Sequence, residues 1–139
     1  MKKRFKYIII AIIGILSFST LIGVNYYFNI PKNRKESVNN ITLIVNYAGE
    51  KPVDKWDNFS LYDGKTTVIY ALLEKCEVEM TGTPENDAFV KAINGIKQYE
   101  NLASYFWLFF VNGKQSQVGS SLYTLDNGDL IWWNYTNQF

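Results

Sequence analysis

The sequence contains no histidine and only one cysteine, Cys76. Without histidine, neither a Ser-His-Asp triad nor a Cys-His pair can be assembled, and histidine-based zinc or haem sites are excluded. Cys76 has no second cysteine with which to form an internal disulfide. It follows Ala71, Leu72 and Leu73 in a helical pattern, and a lone cysteine there is more often a small buried hydrophobe than a reactive thiol. These absences exclude most familiar hydrolase mechanisms.

The remaining candidates for catalysis are carboxylates, three of which lie close together in the sequence: Glu74, Glu77 and Glu79. Their spacing alone does not exclude a glycosidase pair. In Cys76–Met80, however, glutamates alternate with apolar residues, which is the pattern of a strand with one solvated face. Asp126 and Asp129 flank a tight turn, and two carboxylates fall short of the roughly six oxygen ligands that calcium takes. We therefore predict no catalytic residue and no metal ligand, and expect the protein not to be an enzyme.

Positive charge is scarce in most of the chain. Between Asn40 and Phe139 there are 7 Lys and no Arg against 12 Asp and Glu, which is a net charge of −5. Nucleic-acid binding depends on basic side chains that neutralise phosphates. We therefore expect no nucleic-acid partner.

Residues 1–30 are predicted to be a membrane anchor. No charge occurs between Lys6 and Lys32, a span of 25 residues, and a helix of that length covers the roughly 30 Å of a bilayer core. Basic residues precede the span, so the N-terminus should stay cytoplasmic and the rest of the chain should lie outside. A cleaved signal peptide is the alternative, but the clearest small-x-small triplet, Ser17–Ser19, lies inside the apolar run. We expect a single-pass protein of the cell membrane.

Residues 31–40 are polar and basic and have no apolar periodicity, so they are predicted to be a tether. The following residues, 41–139, suffice for one hydrophobic core and not for two. A strand is predicted at Ile41–Tyr47, where apolar and polar residues alternate, and a helix after Thr66 or Thr67. Further strands are predicted near Asn58–Tyr62, at Val78–Met80 and at Ala88–Ile93. The order indicates the α+β class, with one helix packed on a small sheet.

The last third of the chain concentrates aromatic residues and tight turns. Two runs rich in aromatic and branched residues are bounded by Asn112-Gly113 and Asn127-Gly128, which tolerate positive φ and are strong turn signals between strands. The pattern predicts a β-meander with an aromatic face.

Several segments, in this order, resemble the transcobalamin-like C-terminal domain family of the DUF4430 type. They are Asp63–Leu73, Ile93–Ile96, Tyr105–Gly113, Gly119, Tyr123 and Asn127–Ile131. Each motif is common by itself, whereas their shared order is more specific. This family is a β-grasp module found at the end of cobalamin carriers and alone on bacterial surface proteins. The resemblance covers Ile41 to Phe139 and implies a β-grasp-like sheet with one packed helix.

In the carriers, this module lies over one side of the corrinoid and a helical barrel domain supplies the other side. The resemblance implies ligand contacts at Trp107, Phe109, Gln117, Val118 and Gly119. Trp132 joins this set for a different reason: Trp132 and Trp133 point to opposite faces of their strand, so one of them is a candidate for an exposed aromatic contact. Aromatic rings and a closely approaching glycine backbone suit a flat macrocycle. Trp107 and Phe109 have the alternative role of filling the core, because large aromatic side chains are mostly buried.

The expected function is a membrane-anchored, non-enzymatic module that binds cobalamin, a related corrinoid or another flat amphipathic molecule outside the cell. The chain has no helical barrel and no histidine to ligate cobalt, so packing and hydrogen bonds would hold such a ligand, or a protein partner would share it. No resident cofactor is expected. The alternative is a surface protein-protein interaction or structural domain that acts with a partner subunit.

Overall fold

The computed structural model describes residues 34–139. The predicted anchor and the first residues of the predicted tether lie outside the described residues. Among the residues that are described, no helix has the length and apolarity needed to cross a membrane.

Residues 34–139 form eight strands and one helix. In chain order these are β1 (Val38–Asn46), β2 (Asp54–Leu61), α1 (Val68–Lys75), β3 (Val78–Thr81), β4 (Phe89–Ile93), β5 (Ile96–Lys97), β6 (Phe106–Val111), β7 (Lys114–Gln115) and β8 (Leu130–Thr136). The larger sheet has the strand order β2-β1-β8-β6-β7, and the smaller one has the order β3-β4-β5. The predicted α+β class with one helix is confirmed.

Strands β1 and β8 run parallel at the centre of the larger sheet, whereas its other pairs are antiparallel. Ile41, Leu43, Val45 and Tyr47 are fully buried, as the alternation in β1 predicts. The core also contains the buried face of α1, formed by Val68, Ile69, Ala71 and Leu72. One face of the larger sheet therefore borders the core.

The predicted β-meander at the C-terminus is wrong. In a meander β7 would pair with β8, but β7 pairs only with β6, and β8 lies between β6 and β1. Placing β8 at the centre buries Ile131, Trp133 and Tyr135. Burial of three large side chains outweighs the shorter connection that a meander would allow.

Two predicted boundaries move. Strand β1 begins at Val38 rather than at Ile41, because Val38 is fully buried and pairs with Leu61. Strand β2 begins at Asp54 rather than near Asn58. The β1-β2 register shifts between Ile41 and Leu43, and Asn58 has a φ of 52°, so an irregular strand continues through charged residues.

The predicted helix is confirmed, with Thr67 at its N-cap position. The Thr67 side chain makes no capping hydrogen bond. Instead, the main-chain N–H groups of Val68 and Ile69 donate to the carbonyl oxygens of Tyr123 and Ser120, at 3.1 and 3.0 Å. These bonds satisfy donors that a helix start leaves without a partner, and they hold the loop before β8 against α1.

Candidate functional site

A cleft of about 160 Å³ lies beside β6, and we call it the aromatic cleft. Its aromatic lining consists of Phe89, Trp107, Phe109 and Trp133. Its aliphatic lining consists of Ala88, Val90 and Leu108. Its remaining residues are Gln115, Ser116, Gly119 and Ser120. No lining residue is charged, so the cleft favours a neutral or apolar group.

Phe109 lies at the centre of an aromatic cluster on the core face of β6. Its ring centroid is 5.2 Å from that of Trp133, and it meets Tyr123 edge to face at 6.3 Å. Such pairs contribute about 0.5–1.5 kcal/mol beyond their buried area. Burial raises the pKa of the Tyr123 hydroxyl, and Asp129 and Asp126 raise it further. The neighbour of Phe109 is therefore a neutral ring.

Trp107 belongs both to the core and to the wall of the aromatic cleft. It is 7% exposed, and its Nε1–H donates to the carbonyl oxygen of Ile96 at 3.0 Å. Its ring packs 5.0 Å from Tyr135 and 5.9 Å from Tyr47. The core role considered for Trp107 is confirmed, and these contacts also fix the ring that borders the cleft.

Trp133 is one of the aromatic lining residues that were not predicted from the sequence. It is 3% exposed, and its buried Nε1 atom has no hydrogen-bond partner among residues 34–139. An unsatisfied buried donor costs about 1–3 kcal/mol. Because this atom is shielded from solvent, Trp133 offers the cleft its ring surface and not a hydrogen-bond donor. The sequence showed that Trp132 and Trp133 face opposite ways, but not which of them faces the core.

The turn after β7 closes one side of the aromatic cleft. The Ser116 hydroxyl donates to the carbonyl oxygen of Val118 at 2.7 Å, and the main-chain N–H of Val118 donates back to that hydroxyl at 3.1 Å. Gly119 accepts from the N–H groups of Leu122 and Tyr123. A Cβ added at Gly119 would meet no atom within 4 Å, so its backbone borders open space.

The structure brings together only part of the predicted ligand-contact set. Trp107, Phe109 and Gly119 line the aromatic cleft. Gln117 and Val118 lie in the adjoining turn, where both are exposed, but do not line the cleft. Trp132 lies on the opposite face of the larger sheet, is 40% exposed and packs against Phe110. A small group held in the cleft cannot touch Trp132.

The surroundings of the carboxylates and of the Cys76 thiol indicate structural roles. Glu77 and Glu79 are exposed while Val78 and Met80 are partly buried, which confirms the predicted alternation in β3. Across residues 34–139, His, Cys, Asp and Glu side chains form no group of three or more that could hold a metal ion. Cys76 is half-buried, and burial raises its pKa to about 11. It is therefore a poor nucleophile.

Asp129 organises the turn that precedes β8. Its Oδ2 accepts from the main-chain N–H of Asp126 at 2.8 Å, and the N–H of Asp129 donates to the carbonyl oxygen of Asp126 at 3.2 Å. The turn role predicted for this acidic pair is confirmed. Because Asp129 is largely buried, its contribution is to structure at the start of the central strand.

A family model described as "Domain of unknown function (DUF4430)" matches residues 65–137. No curated protein matches the sequence. The fold is shared with solved structures, and two of them are compared with this chain. One is a protein from Ruminococcus gnavus ATCC 29149, described as a candidate metal-binding protein, with 14% identity, a TM-score of 0.52 and coverage of 72% of this chain and 98% of that chain.

The second is haptocorrin in complex with Cbi, with 11% identity and a TM-score of 0.55. The match covers 77% of this chain but 27% of haptocorrin, so most of haptocorrin has no counterpart here. At these identities, the two structures show a shared fold alone. The resemblance to the transcobalamin-like C-terminal domain is confirmed by the family match and by this shared fold.

Proposed function

The chain belongs to the DUF4430 family, and we propose that it is a non-enzymatic module that binds one flat, apolar part of an amphipathic ligand in the aromatic cleft. A corrinoid is the first candidate ligand, with cobalamin as one member of that class. The predicted anchor would hold the module at the outer face of the cell membrane. We also assign the mixed sheet, with its parallel central strands and packed helix, to the β-grasp architecture.

The observation that carries this proposal is that the aromatic cleft has the volume of one ring and an uncharged, largely apolar lining. A buried apolar cavity of about 150 Å³ accommodates benzene, and the aromatic cleft has about 160 Å³. Sites that enclose drug-sized ligands usually have about 300–1,000 Å³. The aromatic cleft is therefore large enough for one ring or one side arm, and the rest of a corrinoid would lie outside it.

The outer part of the ligand would need other contacts. Phe89 borders the cleft and is 56% exposed, and the exposed Gln117 and Val118 adjoin it. These residues offer a shallow apolar and polar rim rather than an enclosing wall. The proposal therefore includes a partner protein that covers the other side of the ligand. The complex of haptocorrin with Cbi supports a corrinoid by analogy of fold.

The chemistry of the cleft narrows the ligand class. Phe109 and Trp133 supply apolar ring surfaces, whereas the Trp133 Nε1–H is shielded from solvent. The absence of charge in the lining disfavours an ionic group. The proposed ligand therefore presents a flat, apolar and uncharged edge to the cleft.

The test is calorimetric titration of the full chain in lipid nanodiscs with cobinamide, cobalamin and haem. We expect saturable binding of a corrinoid and at least tenfold weaker binding by Phe109→Ala. Phe110→Ala is the matched control, because the same residue type on the same strand then changes on the opposite sheet face. The proposal is wrong if the folded protein binds none of these ligands up to millimolar concentration, or if the two variants weaken binding equally.

A second candidate function is supported by the opposite face of the larger sheet. Ile44 and Phe110 lie directly opposite Trp132 on the two strands that flank β8. This row contains an exposed indole, which suits contact with a protein partner. The test is a pull-down from solubilised membranes. We expect one partner protein to be recovered with the unaltered chain and with Phe109→Ala, but not with Trp132→Ser. Recovery that is indifferent to Trp132→Ser would exclude this face.

A further inference from the structure

Strand β6 has one open edge. Strand β8 pairs with it from Phe106 to Val111. On the other side, β7 pairs only with Phe110 and Val111. Among residues 34–139, no strand therefore pairs with Phe106–Phe109 on the side away from β8.

The main-chain groups of Trp107 point toward this open edge. In an antiparallel pair, successive residues direct their N–H and C=O groups to alternate sides. Asn112 donates its main-chain N–H to Leu130 at the start of β8, at 2.8 Å, so residues at even positions of β6 point toward β8. Trp107 points the other way. Neither its N–H nor its C=O takes part in the turn, loop and cap hydrogen bonds of the described residues.

The aromatic cleft reaches this open edge. Three consecutive residues of β6, Trp107–Phe109, line it together with the consecutive residues Ala88–Val90 at the start of β4. Consecutive side chains of a strand point to opposite faces. Three in a row border one cleft only where the cleft touches the backbone edge itself. The cleft thus combines main-chain groups with an apolar pocket.

The other edge of the larger sheet is protected in a way that the β6 edge is not. On β2, Lys55 and Asp57 are exposed and Asn58 interrupts the strand with a φ of 52°. Charges and irregularities of this kind discourage the addition of another strand. The lining of the open β6 edge is uncharged and largely apolar.

We propose that a short, uncharged, extended segment of a partner protein adds to the open edge of β6. Its backbone pairs with the N–H and C=O of Trp107, and one aromatic or branched aliphatic side chain enters the aromatic cleft. Main-chain hydrogen bonds supply the affinity in strand addition, and the pocket for one side chain supplies the specificity. The cleft volume limits that side chain to about the size of one ring. This inference goes beyond the small-molecule function and does not depend on it.

The first experiment pans a display library of random hexapeptides against the full chain in nanodiscs. We expect enrichment of uncharged peptides with one aromatic or aliphatic residue among residues that favour strands. The Phe109→Ala protein should lose this enrichment, and the Phe110→Ala protein should keep it. The proposal is overturned if the unaltered protein enriches no peptide more strongly than the Phe109→Ala protein does.

The second experiment separates backbone pairing from side-chain burial. The best hexapeptide is compared with versions that carry a single N-methyl group at each amide in turn. At least one N-methylated version should bind tenfold or more weakly, and the unmodified peptide should shift the NMR signals of the Trp107 amide and the Trp133 indole N–H. Equal affinity of all versions would exclude strand addition. If cobinamide binds but no peptide does, the small-molecule function stands and strand addition is refuted.

Discussion

The side chain of Asn112 joins two turns that lie far apart in the sequence. Its Nδ2–H donates to Oδ1 of Asp129 at 2.8 Å, and its Oδ1 accepts from the main-chain N–H of Leu130 at 2.9 Å. The first turn connects β6 to β7, and the second precedes β8. Asn112 thereby fixes the place where the central strand begins relative to its neighbour.

Replacing Asn112 separates its side-chain bonds from its backbone conformation. Asn112 has a φ of 51°, which glycine adopts without strain. Asn112→Gly should therefore lower the unfolding free energy by about 1–3 kcal/mol through the lost hydrogen bonds. Asn112→Ala should cost about 1–2 kcal/mol more, because alanine resists this φ. Urea unfolding measures both. Asn58→Gly, at a φ of 52°, is the control, and an equal effect at both sites would contradict the role of the side chain.

Adjacent tryptophans on β8 should respond very differently to truncation. Trp133→Ala removes a buried ring and should lower the unfolding free energy by about 3–5 kcal/mol. Trp132→Ala removes a partly exposed ring and should cost less than about 1 kcal/mol, as is usual for surface positions. Chemical denaturation of the two variants tests this contrast. Similar losses of stability in the two variants would mean that the Trp132 ring is also buried against other groups.

Trp133→Phe tests the donor without emptying the core. It retains an aromatic ring and removes the Nε1–H that is buried without an acceptor, so stability should change by less than about 1.5 kcal/mol. Because this atom is shielded from solvent, we expect the affinity for a ligand of the aromatic cleft to change by less than about threefold, which is less than the loss of one ordinary hydrogen bond. Titration with cobinamide measures the change. A larger loss of affinity, about 3- to 10-fold, would show that a ligand acceptor reaches the indole N–H.

Cys76 should be slow to alkylate. Burial raises its pKa to about 11, so at pH 9 about 1% of the thiol is ionised, against half or more for a thiol of ordinary pKa. The iodoacetamide rate at pH 9 should be about 50-fold below that of the urea-unfolded protein and should rise as the pH approaches 11. Equal rates for the folded and unfolded protein would mean that the thiol is fully accessible and ionises normally.

The predicted anchor has its own test. The full chain should stay in the membrane pellet after an alkaline carbonate wash, and the Ile12→Arg, Ile13→Arg double variant should not. An arginine at the centre of a membrane helix costs about 2.5–3.5 kcal/mol. Sequencing the N-terminus of the mature protein distinguishes the anchor from the signal peptide. Detection of a new N-terminus after residue 20 would favour cleavage.

Local patterns predicted the elements that depend on neighbours in the chain. The alternation at Ile41–Tyr47 and the apolar spacing after Thr67 both confirm this, because strand and helix place nearby residues on one face. The meander failed for the opposite reason. The parallel pairing of Ile44 with Trp132 joins the first and last strands, and no short-range pattern marks such a contact.

The candidate site, like the fold, was predicted from the sequence only in part. The resemblance to the family singled out Trp107, Phe109 and Gly119, which line the aromatic cleft, because the motifs that carry it are short stretches of sequence. It did not reveal Trp133 or the open edge of β6. Both depend on which strands flank β6 and β8, and therefore on pairing between distant segments.

The sequence by itself determined the α+β class, the family and the helix, because periodicity, turn residues and motif order are properties of the chain. Tertiary structure decided that Trp133 faces the cleft and Trp132 faces away from it. Strand register makes that choice, since a shift of one residue exchanges the two faces of a sheet. Register here follows from burying Ile131, Trp133 and Tyr135 together at the centre of the sheet.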